Sequence, residues 1–254
     1  MIKNLTLFLL ATFFIFNSWS QFQEKITANR PGQIISAYTV GKQTFQIENG
    51  INYTQSTWTG FKTVSFSDGL TLRLGLLERL EANVSLTPGN TNTFLGSTKS
   101  SSGFRLWNLQ VAAKYNVVQG KGWIPHIAIR AAMTTRTPGS WQIGSNFLLV
   151  TCNTFDWFSV STKTGVSFAG AKSGATFPYT LNLGFAVSES VNLFAEVFGN
   201  FDNINRPGFD GGIYVLPFDN FQLDLFGGYI TGGAVRTWFA ELGISYRIDW
   251  RGNN

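Results

Sequence analysis

Residues 26–54 read ITANRPGQIISAYTVGKQTFQIENGINYT. The second half alternates: Phe45, Ile47, Ile51 and Tyr53 share one parity, and Gln46, Glu48, Gly50 and Asn52 the other. A two-residue period with one apolar and one polar face marks a β-strand, because successive side chains of an extended chain point to opposite sides. The first half is built differently. Arg30 precedes Pro31, which fixes the backbone, and Gly32, which permits a sharp turn. This leader is expected at the inner mouth of a barrel that the strand opens, with Arg30 folding back as a mouth plug onto a lumen carboxylate.

The same alternation recurs downstream in segments of about ten residues, the length a tilted membrane strand requires. Twelve are predicted, over 44–54, 66–76, 80–87, 104–117, 123–134, 144–152, 157–169, 177–186, 191–201, 209–216, 221–230 and 237–248. The sixth, GSNFLLVTC, alternates poorly. Tight turns are expected at 77–79, 119–122, 153–156, 188–190 and 217–220. Looser polar connections lie between them, the longest being residues 87–103, rich in Gly, Ser, Thr and Asn. An even strand number with short turns on one side, longer loops on the other and both termini on the short-turn side describes an outer-membrane barrel of a Gram-negative cell.

Composition agrees. Hydrophobic residues make up 44% and aromatics 15% of the 254 residues, against 13% charged and 27 glycines, while mean hydropathy is near zero. Apolar residues are therefore abundant but dispersed. Only residues 1–20 hold a long apolar run, Leu7 to Phe16, with Lys3 before it and Ser18-Trp19-Ser20 after it. That is the layout of a cleavable signal peptide. The expected organisation is a signal over 1–20, a periplasmic leader over 21–43 and a barrel over 44–254. Loss of Lys3 lowers the formal charge from +5 to +4. The basic residues are scattered, which gives no nucleic-acid surface. Cys152 and His126 are each the sole residue of their type, so no disulfide and no zinc motif of the HExxH or CxxC kind can form.

Strand parity sorts the charges. Glu48, Arg73, Glu81, Lys114, Arg130, Lys163, Glu196, Asp224, Glu241 and Arg247 all fall opposite the apolar face, and the apolar face carries no charge through the strand centres. A membrane barrel demands this, because a lysine or arginine facing lipid at the midplane costs about 2–4 kcal/mol. Five acids facing five bases make two roles available: a salt-bridge network bracing the wall, or a polar path for a solute. His126 shares the polar face with Arg130.

Residues 26–32, ITANRPG, followed by Ala37-Tyr38-Thr39-Val40-Gly41-Lys42 and Phe45-Gln46-Ile47-Glu48, resemble the opening of a family of bacterial outer-membrane transporters also labelled as a component of phenol degradation. Leu72-Arg73-Leu74-Gly75, Glu78-Arg79-Leu80-Glu81 and Gly243-Ile244-Ser245-Tyr246-Arg247 are similar to later parts of the pattern. Asn29 stands where that family's leader generally carries an aspartate, so a charge pairing at that position does not carry over. The resemblance implies an exported barrel with a transport role.

The expected function is a passive channel for small, aromatic or hydrophobic solutes, since about twelve strands should enclose a narrow lumen. Its expected partners are outer-membrane lipid, a small-molecule solute and the barrel-assembly machinery, with no cofactor, no metal and no enzymatic activity. The strand pattern fixes no oligomeric state. Two rivals are a membrane lipid hydrolase using His126 and a closed structural barrel whose loops bind surface partners. The first is disfavoured because parity turns His126 to the lumen with no clear acid to orient it.

Overall fold

The computed structural model describes residues 24–136, 142–170, 173–201 and 206–251. The expected signal peptide lies outside them. Among the described residues fourteen strands are formed: β1 (Thr44–Trp58), β2 (Phe61–Leu77), β3 (Leu80–Leu95), β4 (Thr98–Ser101), β5 (Arg105–Val118), β6 (His126–Arg136) and β7 (Ile143–Thr154). They continue as β8 (Phe158–Phe168), β9 (Ala175–Thr176), β10 (Pro178–Ala186), β11 (Val191–Asn200), β12 (Gly208–Phe218), β13 (Phe221–Ile230) and β14 (Arg236–Asp249). All pairings are antiparallel, and apart from the closing β1–β14 pair they join neighbours in sequence or, in two cases, skip one short strand. β1 pairs with β14 from Thr44↔Asp249 to Thr57↔Arg236, which closes the sheet. Twelve strands make the ring, with β8 joined to β10; β4 and β9 fold back on β3 and β8 beyond it.

Closure decides what parity alone could not, since a soluble sandwich would bury the apolar face. Here the apolar face is outside: Ile51 and Leu242 are each 59% exposed, and Met133, Phe147 and Leu225 are exposed with them. Arg73, Glu81 and Lys114 on the opposite face are fully buried. Tyr53, Phe66 and Trp238 form an outward aromatic cluster, with ring centroids 4.9–5.0 Å apart, at the level of an interfacial girdle.

Two expectations are corrected and one irregularity is explained. Residues 87–103 are not a loop: β3 continues to Leu95 and hairpins into β4, and β1 and β2 extend to a turn at residues 59–60. Apart from Trp58, Phe61, Val64, Phe94 and Leu95 these extensions are polar, as strands beyond the apolar belt can be, so they carry little alternation signal. The apolar face also holds one carboxylate: Asp68 of β2 shares a face with Phe66 and Leu70, and Asn49 Nδ2 donates to it at 2.5 Å. A neighbouring amide and a position one step inside the girdle lower the cost of that charge. Finally, β7 alternates poorly because its inward residues Val150 and Cys152 pack with Ala128 of β6 against the leader's Ile35, Ala37 and Tyr38.

Candidate functional site: the leader clamped in the lumen

Registered strands bring alternate residues of β1, β2, β3 and β5 together on the inner wall. Arg73 pairs with Glu48 at 2.7 Å and with Glu81 at 2.8 Å, and Lys114 Nζ lies 3.1 Å from Glu81. All four are buried, and burying such charges is tolerable only because each is paired and hydrogen-bonded.

The same charges hold the leader by its backbone. Glu48 accepts from the Asn29 amide at 3.1 and 3.2 Å, Glu81 from the Val40 amide at 3.0 Å, and Glu196 from the Gln33 and Ile34 amides at 2.5 and 3.1 Å. The bases take carbonyls: Arg73 donates to Thr27 at 2.8 Å, Lys114 to Ser36 at 2.9 Å, Arg247 to Glu24 and Lys25, and Lys163 to Gln33. A chain with no regular structure of its own thus finds partners for its polar backbone inside the barrel, as a buried backbone must.

Arg30 projects across the lumen to two acids, Asp224 at 2.9 Å and Glu241 at 2.8 Å, and its carbonyl accepts from Gln222 at 3.0 Å. Burial disfavours its charge, but Asp224 and Glu241 more than offset that and hold its pKa above the ordinary arginine value. Gly50 of β1 and Gly243 of β14 make room, since a Cβ at either would overlap the guanidinium. Gly32, at φ +86°, brings the leader onto Glu196, whose carboxylate lies 2.8 Å from where a Cβ would stand.

The remaining predicted residues behave differently. Arg130 donates to the amide oxygens of Asn146, Gln110 and Asn83 rather than to a carboxylate. His126 packs on Tyr38, with ring centroids 4.4 Å apart; its Nδ1 has no hydrogen-bond partner, and no carboxylate orients it. Several lumen residues escaped the sequence reading. Asp210 of β12 faces inward beside Glu196 but sits among glycines, which blur its parity. Phe194, Phe226 and Phe239 form a buried aromatic cluster with Phe198. Gly208 and Gly228 lie directly beneath the rings of Phe198 and Phe239, an arrangement that only knowledge of strand register could reveal.

Two cavities flank the clamp. One, of about 630 Å³, is lined by the hydroxyls and amides of Ser85, Thr87, Asn108, Gln110 and Asn146. The other, of about 260 Å³, lies between the leader and β7–β12 near the chain-terminal mouth, against Tyr38, Trp157, Phe158, Phe185, Phe194 and Tyr214.

A family model described as "Putative MetA-pathway of phenol degradation" matches residues 28–248. No curated protein matches the sequence. Among solved structures, the COG4313 outer membrane channel from Pseudomonas putida F1 is similar with a TM-score of 0.66 at 11% identity, over 86% of this chain and 99% of that one. The translocator domain of autotransporter NalP from Neisseria meningitidis gives 0.54 at 12% identity, over 80% and 88%. The KdgM porin gives 0.52 at 12% identity, over 78% and 98%. At such identities the likeness establishes the fold. A closed twelve-stranded barrel with an apolar exterior belt is an outer-membrane protein.

Proposed function

Because the chain belongs to the family whose model matches residues 28–248, we propose that it is a passive outer-membrane channel for small solutes, with its leader as the plug of the inner mouth. The single observation that carries this reading is the pair of cavities on either side of a segment held by hydrogen bonds and ion pairs rather than by a strand ladder. The aromatic lining of the inner cavity and the phenol-degradation description of the family favour small aromatic or hydrophobic solutes. Porins and channels among the similar folds support passive passage. On this reading Glu48, Arg73, Glu81, Lys114, Lys163, Glu196, Asp224, Glu241 and Arg247 position the plug, Arg30 latches it, and Arg130 and His126 line the wall.

The chain organisation completes the proposal: residues 1–20 direct export and are removed, 21–43 form the leader, and 44–254 are inserted by the barrel-assembly machinery. Mass spectrometry of the outer-membrane form should give a chain beginning at Gln21. The barrel is read as non-enzymatic, because His126 has Tyr38 where a triad would need an acid. Lipase activity in detergent that disappears in His126→Ala would reverse that. The channel itself is tested in planar bilayers. The wild type should conduct weakly and Arg30→Ala more strongly, and liposomes should admit phenol-sized solutes faster than disaccharides. A closed baseline at all voltages in both proteins would end the channel reading.

A further inference from the structure

The outside of the barrel carries a charge pattern at its loop end that the lumen does not use. There the β14–β1, β1–β2, β2–β3 and β3–β4 ladders run without a register shift, and they set one cross-strand row. Arg236 is opposite Thr57, Thr57 opposite Lys62, Lys62 opposite Phe94, and Phe94 opposite Lys99. Directly opposed residues share a face of the sheet. The girdle rings fix which face it is: Arg236 is two residues from Trp238, Thr57 four from Tyr53 and Lys62 four from Phe66. Even steps along a strand keep the side, so the row points outward with those rings. Lys62, Lys99 and Arg236 are exposed, and none of them takes part in an ion pair among the described residues. Lys99 Nζ stands 6.0 Å from the centroid of the Phe94 ring.

Height and sign both point to a ligand. Two to four residues beyond the girdle is about 7–13 Å along a strand, which is the level of the lipid headgroups. Among the described residues the exposed charges at this end are all basic, Arg105 and Arg206 joining the three of the row. At the chain-terminal mouth the signs are mixed, with Lys42 and Lys121 exposed beside Asp156, Glu189 and Asp219. A need for solubility would place both signs at both ends. Only a difference between the two leaflets calls for cations at one of them. Within the row the cations are two strands apart, about 10 Å, and register holds these like charges together with no acid between them. One step nearer the belt, Gln55 and Asn92 present amides on the same outward face.

We propose that this outward face of β14, β1, β2, β3 and β4 binds the phosphorylated disaccharide headgroup of the outer-leaflet glycolipid, lipopolysaccharide, with Lys62, Lys99 and Arg236 taking its phosphates. Arginine grips a phosphate with two parallel hydrogen bonds and lysine acts on it as a point charge. The two-strand spacing lets separate cations reach phosphates at opposite ends of a disaccharide, whereas a phospholipid brings a single phosphate. Gln55 and Asn92 meet sugar hydroxyls, and the rings of Tyr53, Phe66 and Trp238, with Ile51 and Leu242 below, lie against the acyl chains. The extension of β1, β2 and β3 past the apolar belt then has a task, since it raises a wall beside the headgroup. None of these residues faces the lumen, so the proposal goes beyond the channel reading.

The test uses full-length mature protein refolded in detergent from inclusion bodies, so that it starts free of glycolipid. Native mass spectrometry counts what each chain retains from deep-rough lipopolysaccharide, from the same glycolipid after phosphatase treatment, and from phosphatidylglycerol. The wild type should retain one intact glycolipid and hold the other two at least tenfold more weakly. Lys62→Gln, Lys99→Gln and Arg236→Gln should each weaken binding about fivefold and the triple variant at least tenfold, while Lys121→Gln at the other mouth should leave it unchanged. Folding is judged first by heat-modifiable gel mobility, and should the triple variant not refold, the single ones decide. Equal retention of the phosphatase-treated glycolipid or of phosphatidylglycerol overturns the proposal, as does unchanged binding in the folded variants. Conductance does not enter the readout, so the proposal stands or falls apart from the channel reading.

Discussion

The leader has two flanks, and the barrel holds them by different means. Toward β1, β2, β3, β5, β13 and β14 it meets acids already neutralised by Arg73, Lys114 or its own Arg30, so each contact is a hydrogen bond within a charge-balanced network. Toward β8, β10, β11 and β12 it rests on Glu196, which has no base, and on Lys163, which has no acid within 4 Å. The first flank resembles a bolt and the second a catch. Removing a base should therefore be costly on the first side, while removing an acid charge should be nearly free on the second.

Arg73→Met is the largest break. It leaves Glu48 and Glu81 buried with only Lys114 nearby, and removing one partner of a buried pair costs about 3–5 kcal/mol. A lower midpoint in urea unfolding, followed by heat-modifiable mobility, should show it; a midpoint within error of wild type would mean that the network is not a structural anchor. Arg30→Ala comes next. It strands Asp224 and Glu241, but the side chains of Arg30 and Glu241 are 10% and 19% exposed, so water relieves part of the loss and about 2–3 kcal/mol is expected. Its conductance should rise as the plug loosens, and Gly243→Ala should mimic it without adding to it, because both act by displacing one guanidinium.

Glu196→Gln sharpens the contrast on the other flank. The Gln33 and Ile34 amides bond separate carboxylate oxygens, so glutamine keeps an acceptor for only one of them while removing a negative charge beside Asp210. The lost acceptor and the relieved repulsion oppose one another, so stability should change by less than about 1 kcal/mol, far less than in the Arg73 variant. A loss of several kcal/mol would show that the charge of Glu196 is balanced as fully as those of Glu48 and Glu81.

This asymmetry was only half legible in the sequence. Alternation located the twelve ring strands, and parity turned the ten strand charges inward, because lipid on one side and a polar lumen on the other impose a strict two-residue rule. Arg30 was legible from its setting before Pro31-Gly32. The clamp was not, because backbone amides and carbonyls make most of it and every residue but proline carries both. Asp210 was hidden between Gly208 and Gly212, whose missing side chains remove the apolar frame that parity needs. The inward apolar face of β7 read as a defect of alternation, when it is the imprint of Ile35, Ala37 and Tyr38 packing on it.

The smallest predicted effect concerns Asn29, where the sequence departs from the aspartate usual in the family. Its Oδ1 accepts from the Ser36 amide at 3.2 Å and so closes the leader's turn, while its own amide donates to Glu48. The position needs an acceptor oxygen, which aspartate also supplies. A carboxylate would strengthen the bond to Ser36, since charged acceptors bind amides more tightly, but it would stand near Glu48 in a network that Arg73 already balances. The two terms oppose one another, and Asn29→Asp should shift stability by no more than about 0.5 kcal/mol, with conductance unchanged. A clear stabilisation would mean that Arg73 has charge to spare for a third acid, which would make the bolted flank electropositive. A clear loss would mean that Glu48 feels the new charge, and that the bolt, like the catch, is held with little electrostatic margin.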